Sequence, residues 1–448
     1  MPEPRTITEA AEFIRKGELT PVELLDQCLA RIDRYEPKVR AWVLVDRDGA
    51  REQAERLTAE LKAGQNRGPL HGIPIGVKDI IDVFDLPTGC GSKLWANSYA
   101  RRDATVVERL RQAGAIIMGK TVTTAFASFD PPVTRNPWNL ERTPGGSSSG
   151  SAAAVACGMC LGALATQTGG SITRPASYCG VYGLKPTYGR VSVDGVMPLA
   201  PSMDHVGVMA NCVRDLAILL QPLAGIDDIA TAPRPYHYHS ELKQESYSRL
   251  RQLSTLPDFL PGKADAVMTA AIAALQEKSE ATDWAWNELP LPPSFADVPS
   301  FHHTLMAVEA SAYHDERMRR QPTDYPPKIT NLIEHGLATS APHFAKIKTH
   351  LHKFRDEIER VFVDSWKTLI TPATSGPAPT AETTGDPAFN SPWSYSGLPT
   401  VSLPIAWTAD GLPVSAQLTG DLWCEDDLLA VAAMLEEATG FTPRPLPI

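Results

Sequence analysis

The segment Gly145–Pro186 reads GGSSSGSAAAVACGMCLGALATQTGGSITRPASYCGVYGLKP and limits the folds open to this chain more than any other stretch. Two clusters of glycine and serine, Gly145–Ser151 and Gly169–Ser171, are separated by a run of small residues. Glycines ahead of a serine free the backbone to take unusual angles and to turn several amide N–H groups toward one point. Such convergence is what a developing oxyanion requires. The small-residue run lets the two clusters approach closely. A glycine-rich turn or a tightly packed helix explains either cluster alone, but explains the pair poorly.

Around this segment, helical and strand patterns alternate. Thr20-Pro21-Val22-Glu23 is a capping box with proline at the first helical position, followed by Leu24, Leu25, Cys28, Leu29 and Ile32 at helical spacing. Gly72–Val77 reads as a buried strand ending at Lys78-Asp79, Thr105–Ala113 as a helix, Ala115–Met118 as a strand, and Ser151–Met159 as a small-residue helix. Thr400–Trp407 and Val414–Leu418, on either side of Asp410-Gly411, read as a β-hairpin. The alternation predicts an α/β fold with a mixed central sheet covered by helices on both faces. Proline-rich Thr371–Pro387 reads as a long loop bordering a site. Residues 226–300, with one alanine-rich helix near Ala264–Lys278, read as a variable, mostly helical insertion in a single domain spanning 1–448.

A chain of 448 residues with 43% hydrophobic and 21% charged side chains buries enough surface to need neither disulfides nor a structural metal. Its seven scattered cysteines do not form a disulfide framework. Residues Met1–Thr20 are charged throughout, and the longest weakly polar run, Ala152–Ala165, is too short to cross a bilayer. The expected setting is the cytoplasm, with no membrane partner. The net charge of −10 argues against nucleic acid as a main partner, and Arg317–Arg320 reads as a solvated helix face. Nothing in the pattern excludes a homodimer.

Four short motifs fail their context. Gly114–Thr121 has phosphate-loop spacing, but Ala115-Ile116-Ile117-Met118 in its middle is a strand. Gly146-Ser147-Ser148-Ser149-Gly150 has nucleophile-elbow spacing without the strand that must precede it. Ser240–Lys243 lacks companion motifs, and Cys157/Cys160 lacks the second pair of a zinc site. The pairs His237/His239 and His302/His303 sit in no metal-site pattern, so solvated or structurally bonded histidines are expected.

The segment resembles the amidase signature family through Gly145-Gly146-Ser147-Ser148, Ser151–Ala156, Gly169-Gly170-Ser171, Pro175-Ala176 and Gly183-Leu184-Lys185-Pro186. Gly76-Val77-Lys78-Asp79, Gly119-Lys120-Thr121, Asn136-Pro137-Trp138 and Gly397-Leu398-Pro399 also look like family landmarks, so the likeness runs from about residue 5 to 445 and is weakest across 226–300. The resemblance implies hydrolysis of a carboxylic amide through a serine acyl-enzyme. It implies Ser171 as nucleophile, Ser147 as the bridging serine after a cis peptide bond, Lys78 as base, and Thr168, Gly169 and Gly170 with Ser171 as oxyanion-hole amides. No cofactor or metal is implied, and the partner is a small-molecule amide. Lysine is a base only when neutral, and moving its pKa from ~10.4 to ~7 takes about 4.6 kcal/mol of burial.

Two positions depart from the family pattern. Gln167 stands where aspartate is common. Thr173 stands where arginine is common, with Arg174 one place later. That arrangement is similar to malonamidase-type members, in which an arginine holds a substrate carboxylate, a pairing that suits the guanidinium fork. The alternative is that Arg174 anchors the loop through an acidic partner. Two further readings stand beside a small-amide hydrolase. One is the amidase subunit of a tRNA-dependent glutamine amidotransferase; the other is a non-catalytic binding protein that has kept the fold. The changes at Gln167 and Thr173 and the acidic charge speak against the amidotransferase reading. The presence of Lys78, Ser147 and Ser171 speaks against the binding protein.

Overall fold

The computed structural model describes residues 2–225, 250–362 and 368–448. Ser240–Lys243 and the His237/His239 pair fall outside them.

The first strands are β1 (Trp42–Val45), β2 (Pro74–Lys78), β3 (Ile116–Thr121) and β4 (Gly162–Gln167). Next come β5 (Tyr182–Lys185), β6 (His205–Ala210), β7 (Gln252–Thr255) and β8 (Ala285–Glu288). The last are β9 (Thr368–Pro372), β10 (Thr400–Trp407) and β11 (Pro413–Thr419). They form one eleven-stranded mixed sheet in the order β1-β3-β2-β4-β6-β5-β10-β11-β9-β7-β8. Strand β2 runs parallel to both β3 and β4, while β4–β6, β5–β6 and β10–β11 are antiparallel. Strands β2 to β6 are buried at every position, as expected for a sheet with helices on both faces. One face packs on the helices Pro21–Val39 and Arg47–Lys62 and the small-residue helix Ser149–Ala156; a larger core fills the other.

Local expectations hold where local chemistry decides. The Thr20/Glu23 capping box opens Pro21–Val39, and the 400–419 hairpin forms with a bulge between Pro404 and Ala406. The phosphate-loop match is strand β3. Cys157 and Cys160 are free and buried. Arg319 and Arg320 pair with Asp315 and Glu316 one helical turn earlier, on a solvated face.

The described part of the 226–300 region contains the expected helix, at Ala266–Glu280. It also contains β7 and β8, which sequence reading missed and which extend the sheet beyond β9. No helix among the described residues is long and apolar enough to cross a membrane.

Candidate active site

Lys78 is the last residue of β2 and Gln167 the last of β4. Because these neighbours are parallel, with Val77 opposite Leu164, their carboxyl ends meet at one edge of the sheet. There the Lys78 Nζ lies 2.8 Å from Ser147 Oγ and 2.7 Å from Thr166 Oγ1. Its side chain is wholly buried, and burial drives its pKa well below the ordinary lysine value, with Asp204 pulling weakly the other way. Thr166, unremarked in the sequence, is thus the amine's second partner.

Gly145 and Gly150 fix how the serine cluster reaches that amine. Gly145 has φ +83°, and a Cβ on Gly150 would lie 2.1 Å from Ala41 O, so the helix Ser149–Ala156 seats against the chain with no side chain between. The Gly146–Ser147 peptide is cis. The other serines are spoken for: Ser148 Oγ donates to Thr166 O at 3.1 Å, and Ser151 Oγ donates to Leu164 O at 3.0 Å. Ser147 alone in the cluster meets the lysine.

Ser171 follows β4 and is 8% exposed. The loop before it is held by its carbonyls. Thr168 O accepts from His302 Nε2 at 3.0 Å, Gly169 O from Ser394 Oγ at 3.0 Å, and Gly170 O from Arg174 N at 3.0 Å. The amides of Gly169, Gly170 and Ser171 donate to no backbone carbonyl among the described residues. A loop bonded on its carbonyl side and free on its amide side suits an oxyanion. His302 is buried and its pKa falls to about 4, so it is neutral near pH 7; facing a carbonyl, its Nε2 carries the proton. Among the described residues, no group of three or more His, Cys, Asp or Glu could hold a metal ion.

The two departures from the family pattern meet each other. Gln167 Oε1 accepts from Ile172 N at 2.8 Å, Thr173 N at 3.1 Å and Thr173 Oγ1 at 3.2 Å. They therefore shape the loop that carries Ser171.

Arg174 is 1% exposed. No acidic group lies within ion-pair distance of it among the described residues. Its Nη2 donates to Gly146 O at 2.7 Å and, more weakly, to Thr384 Oγ1 at 3.4 Å, while Nε and Nη1 have no partner among the described residues. The expected loop anchor exists, but its acceptor is the carbonyl before Ser147 and not an acid. Burial lowers the Arg174 pKa to about 10, which still leaves a cation at pH 7. Thr384 belongs to the loop expected to border the site, and it does so.

A buried amine bonded to a serine, beside a glycine–serine loop of free amides at the end of the neighbouring strand, is an arrangement suited to acyl transfer. The family described as Amidase matches residues 23–429, and this chain belongs to it. A glutamyl-tRNA(Gln) amidotransferase subunit of Roseiflexus castenholzii is 36% identical over 98% of this chain and 96% of its own length. The putative amidase AmiD of Mycobacterium tuberculosis is 33% identical over 99% and 96%. The native peptide amidase from Stenotrophomonas maltophilia superposes with a TM-score of 0.86 at 28% identity, over 99% of both chains. The relatives thus include proteins named for tRNA-linked work, a setting that the acidic net charge had weighed against.

Proposed function

We propose that this chain hydrolyses a carboxylic amide through an acyl-enzyme on Ser171, with Ser147 and Lys78 carrying the proton. The observation that supports this most is the buried Lys78 amine, held by two hydroxyls and driven toward its neutral form. One N–H of the neutral amine donates to Thr166 Oγ1, leaving the lone pair for the Ser147 proton. Ser147 in turn takes the proton of Ser171 as its Oγ attacks the substrate carbonyl. The tetrahedral oxyanion meets the amides of Thr168–Ser171, and the proton returns through Ser147 to the leaving nitrogen. Water then hydrolyses the ester by the same path in reverse. The two free donors of Arg174 favour a small amide bearing a carboxylate.

A panel of small amides, with and without a free carboxylate, assayed for ammonia release tests the reading together with Ser171→Ala. The variant should lose turnover by about five orders of magnitude or more and should lose fluorophosphonate labelling. Near-normal turnover in Ser171→Ala would reject the acyl-enzyme.

The similarity over almost the whole chain to glutamyl-tRNA(Gln) amidotransferase subunits favours a second reading, glutamine hydrolysis within a tRNA-dependent complex. Co-purification with partner subunits, and glutaminase activity that emerges only in their company, would select it.

A further inference from the structure

We infer that Gln167 and Ser394 are positioning residues that aim the Gly169–Gly170 peptide at the reacting carbonyl through a hydrogen-bond relay of fixed direction. The inference rests on the proposed role of Thr168–Ser171 as the oxyanion hole.

The direction follows from which groups can only donate or only accept. Backbone N–H groups only donate, so the end of Gln167 facing Ile172 N and Thr173 N is its oxygen. The other end is then the amide nitrogen, which donates to Ser394 Oγ at 3.1 Å. The Ser394 hydroxyl has one proton, and the Gly169 carbonyl at 3.0 Å can only accept it. The relay therefore runs from Gln167 Nε2–H to Ser394 Oγ–H to the oxygen of Gly169. That oxygen belongs to a planar peptide whose opposite end is the Gly170 N–H, so fixing one fixes the heading of the other. Gln167 and Ser394 are both fully enclosed, and the short helix Ser391–Ser396 brings the serine to the loop.

A carboxylate at position 167 could accept from Ile172 and Thr173 equally well, but it could not donate to Ser394. The serine proton would turn toward the acid and leave the Gly169 carbonyl unbonded. Glutamine supplies the donating arm, and Thr173 adds a hydroxyl to the accepting arm. Residues 167, 173 and 394 thus work as one set.

The test uses the second-order rate of fluorophosphonate labelling at Ser171 and the affinity of a trifluoromethyl ketone, whose serine adduct presents an oxyanion. Ser394→Ala and Gln167→Glu should each slow labelling and weaken the ketone by roughly tenfold, since a misaimed donor costs less than a deleted one. The double variant should be no worse than Gln167→Glu alone, because both changes cut the same relay. Ser394→Thr, which keeps the hydroxyl, should recover most of the Ser394→Ala loss. Should the buried charge keep Gln167→Glu from folding, Ser394→Ala and Ser394→Thr carry the test between them. Ser394→Ala labelling and binding the ketone within twofold of the parent would overturn the relay, as would losses that multiply in the double variant. If Ser171→Ala instead retains turnover, the acyl-enzyme reading falls and takes the relay with it.

Discussion

Two buried lysines stand at the ends of neighbouring strands and have opposite company. Lys120, near the end of β3, has the Asp79 carboxylate 3.0 Å away, the carbonyl of Pro87 at 2.9 Å and the hydroxyl of Thr88 at 3.1 Å. Lys78, at the end of β2, has only the hydroxyls of Ser147 and Thr166. Both side chains are fully enclosed. Burial is common to them, so burial does not separate a structural cation from a free base; the partner does. Asp79 directly follows Lys78 in the turn that ends β2, yet its carboxylate bonds to Lys120, which lies opposite Val77 and not opposite Lys78. Lys120 thereby has a counter-charge that Lys78 lacks. A buried ion needs a partner to stay charged, and the one left without an acid is the one poised to give up its proton.

The sharpest way to break this contrast is to replace each lysine with methionine. Lys78→Met should cost three orders of magnitude or more in kcat, roughly the scale for removing one member of a unit that moves a single proton. It should cost little stability, about 1–2 kcal/mol for the two hydroxyls left without their amine. Lys120→Met leaves the Asp79 carboxyl buried without a cation and should destabilise the fold by about 3–5 kcal/mol. Denaturant melts and turnover on matched preparations would decide. Equal losses of stability in both variants would mean that Lys78 also serves as a structural cation.

The contrast also predicts a pH dependence. In the proposed mechanism the neutral amine is the active form, so kcat/KM should rise with pH along a limb centred well below the usual lysine pKa. The linkage has the same sign. The unfolded chain holds the Lys78 proton up to ~10.4 and the folded chain releases it earlier, so between the two values unfolding takes up a proton. The contribution of Lys78 to stability therefore improves as pH rises through that window, by up to about 1.4 kcal/mol per pH unit, and the improvement should vanish in Lys78→Met. A kcat/KM profile flat from neutral to alkaline pH would contradict a base at this position.

What could be read from the sequence follows the range of the interactions involved. The glycine–serine clusters, the Thr20 capping box and the 400–419 hairpin are set by neighbours a few places away. Lys78, Ser147 and Ser171 were singled out through the family resemblance, and the structure brings the first two within 2.8 Å. The supports were not: His302 reaches Thr168 across 134 positions, and Ser394 reaches Gly169 across 225. A serine in Ser391–Ser396 or a histidine in a long helix carries no local mark of that task. Strands β7 and β8 escaped for the same reason, since β7 pairs with β9 more than a hundred residues later. Gln167 and Thr173 were visible as departures, but only their contact with each other shows that they form a pair. Ser147 was separable from Ser148 and Ser151 by resemblance alone, because which serine meets the amine depends on how closely Gly150 lets the helix seat.

The smallest expected effect concerns Arg174, another buried cation with no acid within ion-pair distance among the described residues. Its Nη2 bond to Gly146 O braces the peptide before Ser147, while Nε and Nη1 are buried without a partner among the described residues and are the donors proposed for a substrate carboxylate. Arg174→Ala removes the brace together with the proposed carboxylate contact, so the two substrate kinds should separate them. A neutral amide such as propionamide should lose only the factor due to the brace. An acidic amide such as malonamate should lose a further factor of about ten to a hundred in kcat/KM, the value of one charge-assisted pair in a buried site. Arg174→Lys should restore part of the common loss but little of the acid-specific loss, because an ammonium cannot engage both carboxylate oxygens in the guanidinium's fixed geometry. Equal losses on propionamide and malonamate would leave Arg174 with the brace alone. The carboxylate preference would then have to come from another cation or not exist at all.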